Sequence, residues 1–316
     1  MSAKLSPSGF TASRSPADPR LTRMPRIRTL LLALLVTLLW GSSFVLTKIA
    51  LTELGPLTIA FYRWLIATAA FAVVLPAQKA VPAVWAALRQ HPGHFALLGA
   101  VGIAAFYALQ NLALGLTTAV NVGLLINFTT IFIAVLGVFW LGEKLPRSAV
   151  AGIILSFAGA VIVSMPVGGL RLESGHLLGD GLTMLAALCA AIYTVHGKQL
   201  VARYPPTVVT ALAVACGAAL LLPLAALEGL VIPRTWEVYA ALLTLGLGSG
   251  ALANLWWWRI LRQVDAARAG TFLLVIPLVS TLLAVLALKE TMPGLAPVGA
   301  LLVLAGVYLT QRDTGG

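Results

Sequence analysis

The stretch Gly123–Leu145, GLLINFTTIFIAVLGVFWLGEKL, is followed after a short polar break by Ala149–Val163, AVAGIILSFAGAVIV. Much the same text recurs as Gly270–Met292, GTFLLVIPLVSTLLAVLALKETM, and Ala296–Thr310, APVGALLVLAGVYLT. A shift of 147 residues, which aligns Glu143 with Glu290, also places Gly123 on Gly270, Leu136 on Leu283, Leu141 on Leu288, Gly152 on Gly299, Ala158 on Ala305 and Gly159 on Gly306. Upstream it places Gly99 on Gly246. Identities at one fixed offset, several of them glycines and one a glutamate at a span end, mark a duplicated half.

The solvent of this chain is lipid. It is 60% hydrophobic and 10% charged, with a mean hydropathy of +0.97, whereas soluble domains carry about 25% charged residues. Ten apolar segments follow one another at 29–48, 56–76, 94–115, 119–141, 148–165, 176–198, 206–227, 236–258, 269–289 and 293–311. Each has about the 20 residues that a helix needs to cross a bilayer. Sustained alternation is absent, which argues against membrane strands. The expected architecture is therefore all-α and integral to the membrane. It has ten transmembrane helices, with one repeat over 29–165 and a second over 176–311. Residues 1–28, rich in serine, proline and arginine, read as a disordered cytoplasmic tail leading into an uncleaved signal-anchor.

The net charge of +11 could suggest a nucleic-acid partner. Its placement argues for positive-inside topology instead. With the N-terminus inside, sixteen of the 21 basic residues fall on the inner side. Lys48, Arg171, Arg234 and Lys289 fall outside, and Arg63 lies within the second span. Both termini are thus expected in the cytoplasm, at the cell membrane. Five spans per half is an odd number, so the second half must cross in the opposite sense. Such an inverted repeat is common in secondary transporters, whose site lies near the midplane. Lys48 and Lys198, and Pro56 and Pro206, match between halves at a shift of 150.

No phosphate loop, HExxH motif or nucleophile elbow is present. Cys189 and Cys216 lie inside apolar spans and give neither a disulfide framework nor a metal spacing, so neither cofactor nor metal is expected. Glu143 and Glu290 sit at span ends. They read either as a gate-linked pair at opposite faces or as caps or loop ion pairs with Lys144 and Lys289. Arg63 lies about seven residues, or roughly 10 Å, along its span. A charge at that depth faces a cavity or a partner, snorkels outward, or braces carbonyls of a neighbouring helix.

Polar residues inside the spans supply the candidate substrate path: Trp40 and Ser43, Arg63, Gln110 and Asn111, Asn127, Tyr193, Asn254 and Trp257. Amides in hydrocarbon need partners, so they face protein or a wet cavity. The 147-residue shift pairs Tyr107 with Asn254, Gln110 with Trp257 and Asn111 with Trp258. A mixed amphipathic and aromatic path suits small organic metabolites. For Trp256, Trp257 and Trp258 beside Arg259, the favoured expectation is an interfacial aromatic belt. The glycine faces of Gly152–Gly159 and Gly299–Gly306 are expected to scaffold the last span of each half or to form a homodimer contact. Gly246, Gly248 and Gly250 offer a hinge or tight packing, and Pro277 a kink.

Taken together, LLWGSSFVLTKIAL at Leu38–Leu51, FYRWLIA at Phe61–Ala67, LGEKL at Leu141–Leu145 and IPLVSTLLAVLALKET at Ile276–Thr291 resemble EamA-type members of the drug/metabolite transporter superfamily. The resemblance covers about residues 30 to 311. It implies ten helices, an inverted five-plus-five repeat and export of amino acids or related metabolites rather than enzymatic activity. A multidrug or nucleotide-sugar carrier and an intramembrane enzyme are the rival readings. The family's fourth-span proline falls on Thr130 here, so the first half is expected to lack the kink of the second. No carboxylate lies mid-span, so facilitated diffusion or exchange stands beside proton coupling.

Overall fold

The computed structural model describes residues 26–114, 116–117, 119–165, 176–288 and 294–312. Glu290, Lys289 and all of the N-terminal tail up to residue 25 lie outside them. The described residues form helices and turns. Nine helices are long and apolar enough to cross a membrane: Ile27–Ala50, Pro56–Ala77, Pro92–Ala113, Asn121–Leu141, Arg147–Ser164, Leu177–Val201, Pro206–Glu228, Trp236–Leu261 and Ala266–Leu283. The tenth, Ala296–Arg312, is shorter. The first helix starts at Arg26, slightly inside the stretch read as tail. A ten-residue helix unforeseen from sequence, Val81–Gln90, joins the second and third spans. Among its buried residues is Ala87, while Trp85 is exposed.

Span starts follow proline chemistry. Pro56, Pro92 and Pro206 each occupy the first helical turn, where a missing N–H costs nothing and φ is already helical. Gly142 ends the fourth span at φ 66, a left-handed geometry that a side chain would strain.

Alternate spans run in opposite directions, so the first begins and the tenth ends on one side of the bundle, here the terminal face. The inverted repeat appears in matched contacts. A Cβ on Gly99 of the third span would lie 2.5 Å from Cys216 of the seventh, and one on Gly246 of the eighth 2.5 Å from Ile66 of the second. Each half thereby lays its third span on the other half's second. Gly152 faces the Gly306 carbonyl and Gly159 that of Gly299, each at 2.5 Å from an ideal Cβ. Backbones can approach this closely only where both helices present glycine. The small faces therefore join the fifth and tenth spans within one chain, and in this structure they are not available as a homodimer contact.

The fourth and ninth spans break within one residue of equivalent positions. The ninth is interrupted between Ala266–Leu273 and Ile276–Leu288, next to Pro277. The fourth is interrupted between Ala119–Leu125 and Phe128–Leu141, so the expectation of an unkinked first half is wrong. Asn127 supplies the reason. Its Nδ2 donates to the Gly123 carbonyl at 3.0 Å, taking the acceptor that a regular helix reserves for the Asn127 backbone N–H. That N–H turns to Leu124, and those of Thr129 and Thr130 also bond three residues back.

Candidate functional site

The third span of each half contains a π-helical segment, Ala100–Ala105 and Thr244–Leu252. The two end at positions matched by the 147-residue shift. Widened turns leave carbonyls without their usual partners. In the second half Ser249 is the acceptor at the centre of the bundle. Its carbonyl receives Trp40 Nε1 at 3.1 Å from the first span, Arg63 Nη2 at 3.4 Å from the second, and Asn254 Nδ2 at 3.1 Å from its own. Asn254 also donates to Gly250 at 2.9 Å and accepts from the Tyr193 hydroxyl at 3.1 Å. Four spans thus meet through one hydrogen-bonded group.

Aromatic rings enclose it. Trp40 and Trp257 centroids are 5.5 Å apart, Trp64 and Tyr107 5.5 Å, and Tyr193 and Trp258 4.7 Å. The Arg63 guanidinium lies 5.2 Å from the ring centroids of both Trp64 and Tyr107. Arg63 is only 6% exposed, so it does not snorkel. It braces a carbonyl on a neighbouring helix and stacks among rings, a mode suited to a weakly hydrated guanidinium.

The structure therefore gathers five of the nine candidate residues: Trp40, Arg63, Tyr193, Asn254 and Trp257. The other four stand outside the hydrogen-bonded group. Ser43 Oγ donates to the Trp40 carbonyl of its own helix at 2.6 Å, and Asn127 serves the helix break. Gln110 and Asn111 are half-buried. The expected belt is corrected: Trp257 and Trp258 are 1% and 0% exposed. For Trp258 the reason is Gly197, whose missing side chain leaves room for the ring. Sequence reading missed Trp64 and the Ser249 carbonyl. The GLGSG run at Gly246–Gly250 was the available signal.

Glu143 closes the terminal face. Its Oε1 accepts from Lys198 Nζ at 2.6 Å and from the Ala266 N–H at 2.7 Å, and Oε2 from the Ala267 N–H at 3.2 Å. The carboxylate caps the ninth span, in the other half, where the helix dipole favours a negative charge. Lys198 also donates to the Val264 carbonyl at 2.9 Å. The ion pair is with Lys198, not Lys144, and it ties the fourth, sixth and ninth spans. Deeper on the same side, Thr130 Oγ1 donates to the Gly270 carbonyl at 3.0 Å, and Ile133 lies 3.3 Å from where a Gly270 Cβ would sit. Gly123, the counterpart of Gly270 in the first half, has no described residue within 4 Å of that position. The fourth and ninth spans are packed together towards the terminal face, and the described residues make no such contact at the matching position towards the opposite face. Also at the opposite face, Glu228 accepts from the Leu57 and Thr58 N–H groups at 3.2 and 2.7 Å, capping the second span from the seventh.

Ten spans in an inverted repeat around a polar and aromatic centre have the architecture of a membrane transporter. The chain matches the EamA-like transporter family over residues 27–165 and 177–312, and it belongs to that family. An uncharacterized transporter of Archaeoglobus fulgidus is 35% identical over 290 residues, 90% of this chain and 97% of that one. A probable terminal-alkyne amino-acid exporter of Streptantibioticus cattleyicolor is 27% identical, over 90% of this chain and 94% of that one. A probable amino-acid metabolite efflux pump of Salmonella typhimurium is also 27% identical, over 88% and 93%. A solved crystal structure superposes with a TM-score of 0.79 at 23% identity, covering 91% of this chain and 98% of that one. It supports the fold.

Proposed function

We propose that the protein exports amino acids or related small metabolites across the cell membrane by alternating access. In this reading the terminal face is cytoplasmic, as the bias of basic residues requires. The two halves rock about the Ser249 group, and Trp40, Arg63, Tyr193, Asn254 and Trp257 line the path. The observation that carries the reading is the contrast between Gly270, covered by Ile133, and Gly123, which no described residue covers. Equivalent glycines in equivalent helices hold two different environments, as a carrier closed on one side and open on the other requires. The names of two relatives support the substrate class.

The test is efflux of preloaded labelled amino acids from proteoliposomes holding the purified protein, with and without a pH gradient. Saturable efflux of one class, reduced in Asn254→Ala, supports the reading, and the gradient dependence identifies the coupling. Absence of efflux for every amino acid under every gradient would sink it.

A further inference from the structure

We propose that Arg63 is the binding site for a carboxylate group on the transported molecule, and that Trp64 and Tyr107 hold the adjoining apolar body. The inference rests on the transporter reading above and narrows its substrate.

Arg63 carries a permanent charge, yet it is nine-tenths buried and forms no ion pair among the described residues. The described acidic side chains are accounted for elsewhere. Glu143 serves the terminal-face clamp, Glu228 and Glu53 cap helix starts, and Asp265 stands near Lys198 and Arg268. Asp180 accepts from Thr117 and Asn121, and Glu237 is exposed in the first turn of the eighth span. What Arg63 has instead is one carbonyl at 3.4 Å, at the long limit of a hydrogen bond, two ring faces and the neutral Tyr107 hydroxyl. Its Nε–H has no acceptor among the described residues. A guanidinium presents five N–H donors in a planar fork matched to a carboxylate. A buried cation left this far from satisfied is poised for an anion that comes and goes.

The surroundings select the anion's attachment. Trp64 Nε1, on a ring against which the guanidinium stacks, is likewise buried without a partner among the described residues. The rings offer apolar faces to a hydrocarbon or aromatic body. No described carboxylate lies among the central residues to hold a substrate ammonium, so the carboxylate should be the group the site requires.

The experiment uses the full chain in proteoliposomes and three probes of similar body. Phenylalanine carries both charges, hydrocinnamate only the carboxylate, and phenethylamine only the ammonium. Counterflow and quenching of intrinsic tryptophan fluorescence are measured for the native protein, Arg63→Lys and Arg63→Gln. Phenylalanine and hydrocinnamate should bind and phenethylamine should not. Arg63→Gln should weaken carboxylate binding roughly ten- to hundredfold, the scale of losing hydrogen bonds to a charged group, with Arg63→Lys recovering part of it. If Arg63→Gln folds and binds carboxylates as well as the native chain, Arg63 is a packing residue and the proposal fails while transport stands. If the native chain prefers phenethylamine, the carboxylate class is wrong whether or not any variant folds. If no probe moves or binds while other amino acids are exported, this inference fails and the export reading stands.

Discussion

Ser156 and Val303 are the same position in the two halves, 147 residues apart, and the Ser156 hydroxyl donates to the Val303 carbonyl at 3.2 Å. A residue that touches its own counterpart must lie at the pseudo-twofold axis. The axis therefore runs between the fifth and tenth spans, where glycines meet glycine carbonyls on either side of this bond.

That seam should resist any side chain. Gly159→Leu would force an isobutyl group against the Gly299 carbonyl, where even a Cβ would lie at 2.5 Å. Overpacking of this kind costs about 1–3 kcal/mol or more. The expected result is a lower melting temperature in detergent. Gly181→Ala, at a site with nothing within 4 Å, should leave it within error of the native value.

The clamp at Glu143 should be coupled rather than additive. Glu143 is 5% exposed and Lys198 20% at the side chain, so removing either partner strands a largely buried charge at about 3–5 kcal/mol. Glu143→Gln and Lys198→Met should each destabilise the closed terminal face and raise the labelling of a cysteine introduced at Ile133. The double variant should restore part of the protection. Equal and additive single effects would show that the two side chains act independently.

Gly123 should tolerate size in this state and forbid it in the other. By the repeat, Ser280 is to Gly123 what Ile133 is to Gly270. Gly123→Leu should fold with near-native thermal stability, since its Cβ meets no described residue, yet abolish turnover by blocking closure of the opposite face. Cysteines at Gly123 and Ser280 should cross-link only when the transporter is cycling. Full transport by Gly123→Leu would rule out closure at this point.

Glu53 gives the fold an acid-sensitive tie. Its carboxylate accepts from the Arg234 N–H at 2.6 Å, from the Thr235 N–H and from the Thr235 hydroxyl. Led by the Arg234 backbone bond, these hold its pKa below the usual glutamate value. A depressed folded pKa means stabilisation present above the unfolded value and lost as pH falls through the folded one. Scanning melting temperature from neutral pH to about pH 3, the native protein should lose more than Glu53→Gln. Parallel curves would mean that the tie does not contribute.

The spans were legible because lipid demands long apolar runs bounded by polar breaks, and the repeat because five such runs recur in one order. Trp257 and Trp258 misled for a physical reason. Tryptophan beside arginine at a span end suits an interface, and only the third dimension reveals that Gly197 opens a slot for one ring. The Ser249 carbonyl was signalled only indirectly, by the glycine run Gly246–Gly250, since any residue has a carbonyl and only the helix winding frees it. For Glu143 the readings as gate, cap or loop ion pair stayed open; adjacency pointed the ion pair to Lys144, while the partners of its cap and its ion pair lie 123 and 55 residues away.

The two broken spans bend for unlike reasons. Pro277 can never offer an N–H to the turn before it, so the ninth span is bent whatever its neighbours do. The fourth span is bent at Asn127, where a side-chain amide sits on the Gly123 carbonyl. The duplicated halves match in shape but not in what holds the shape: a covalent ring in one, a side-chain hydrogen bond in the other.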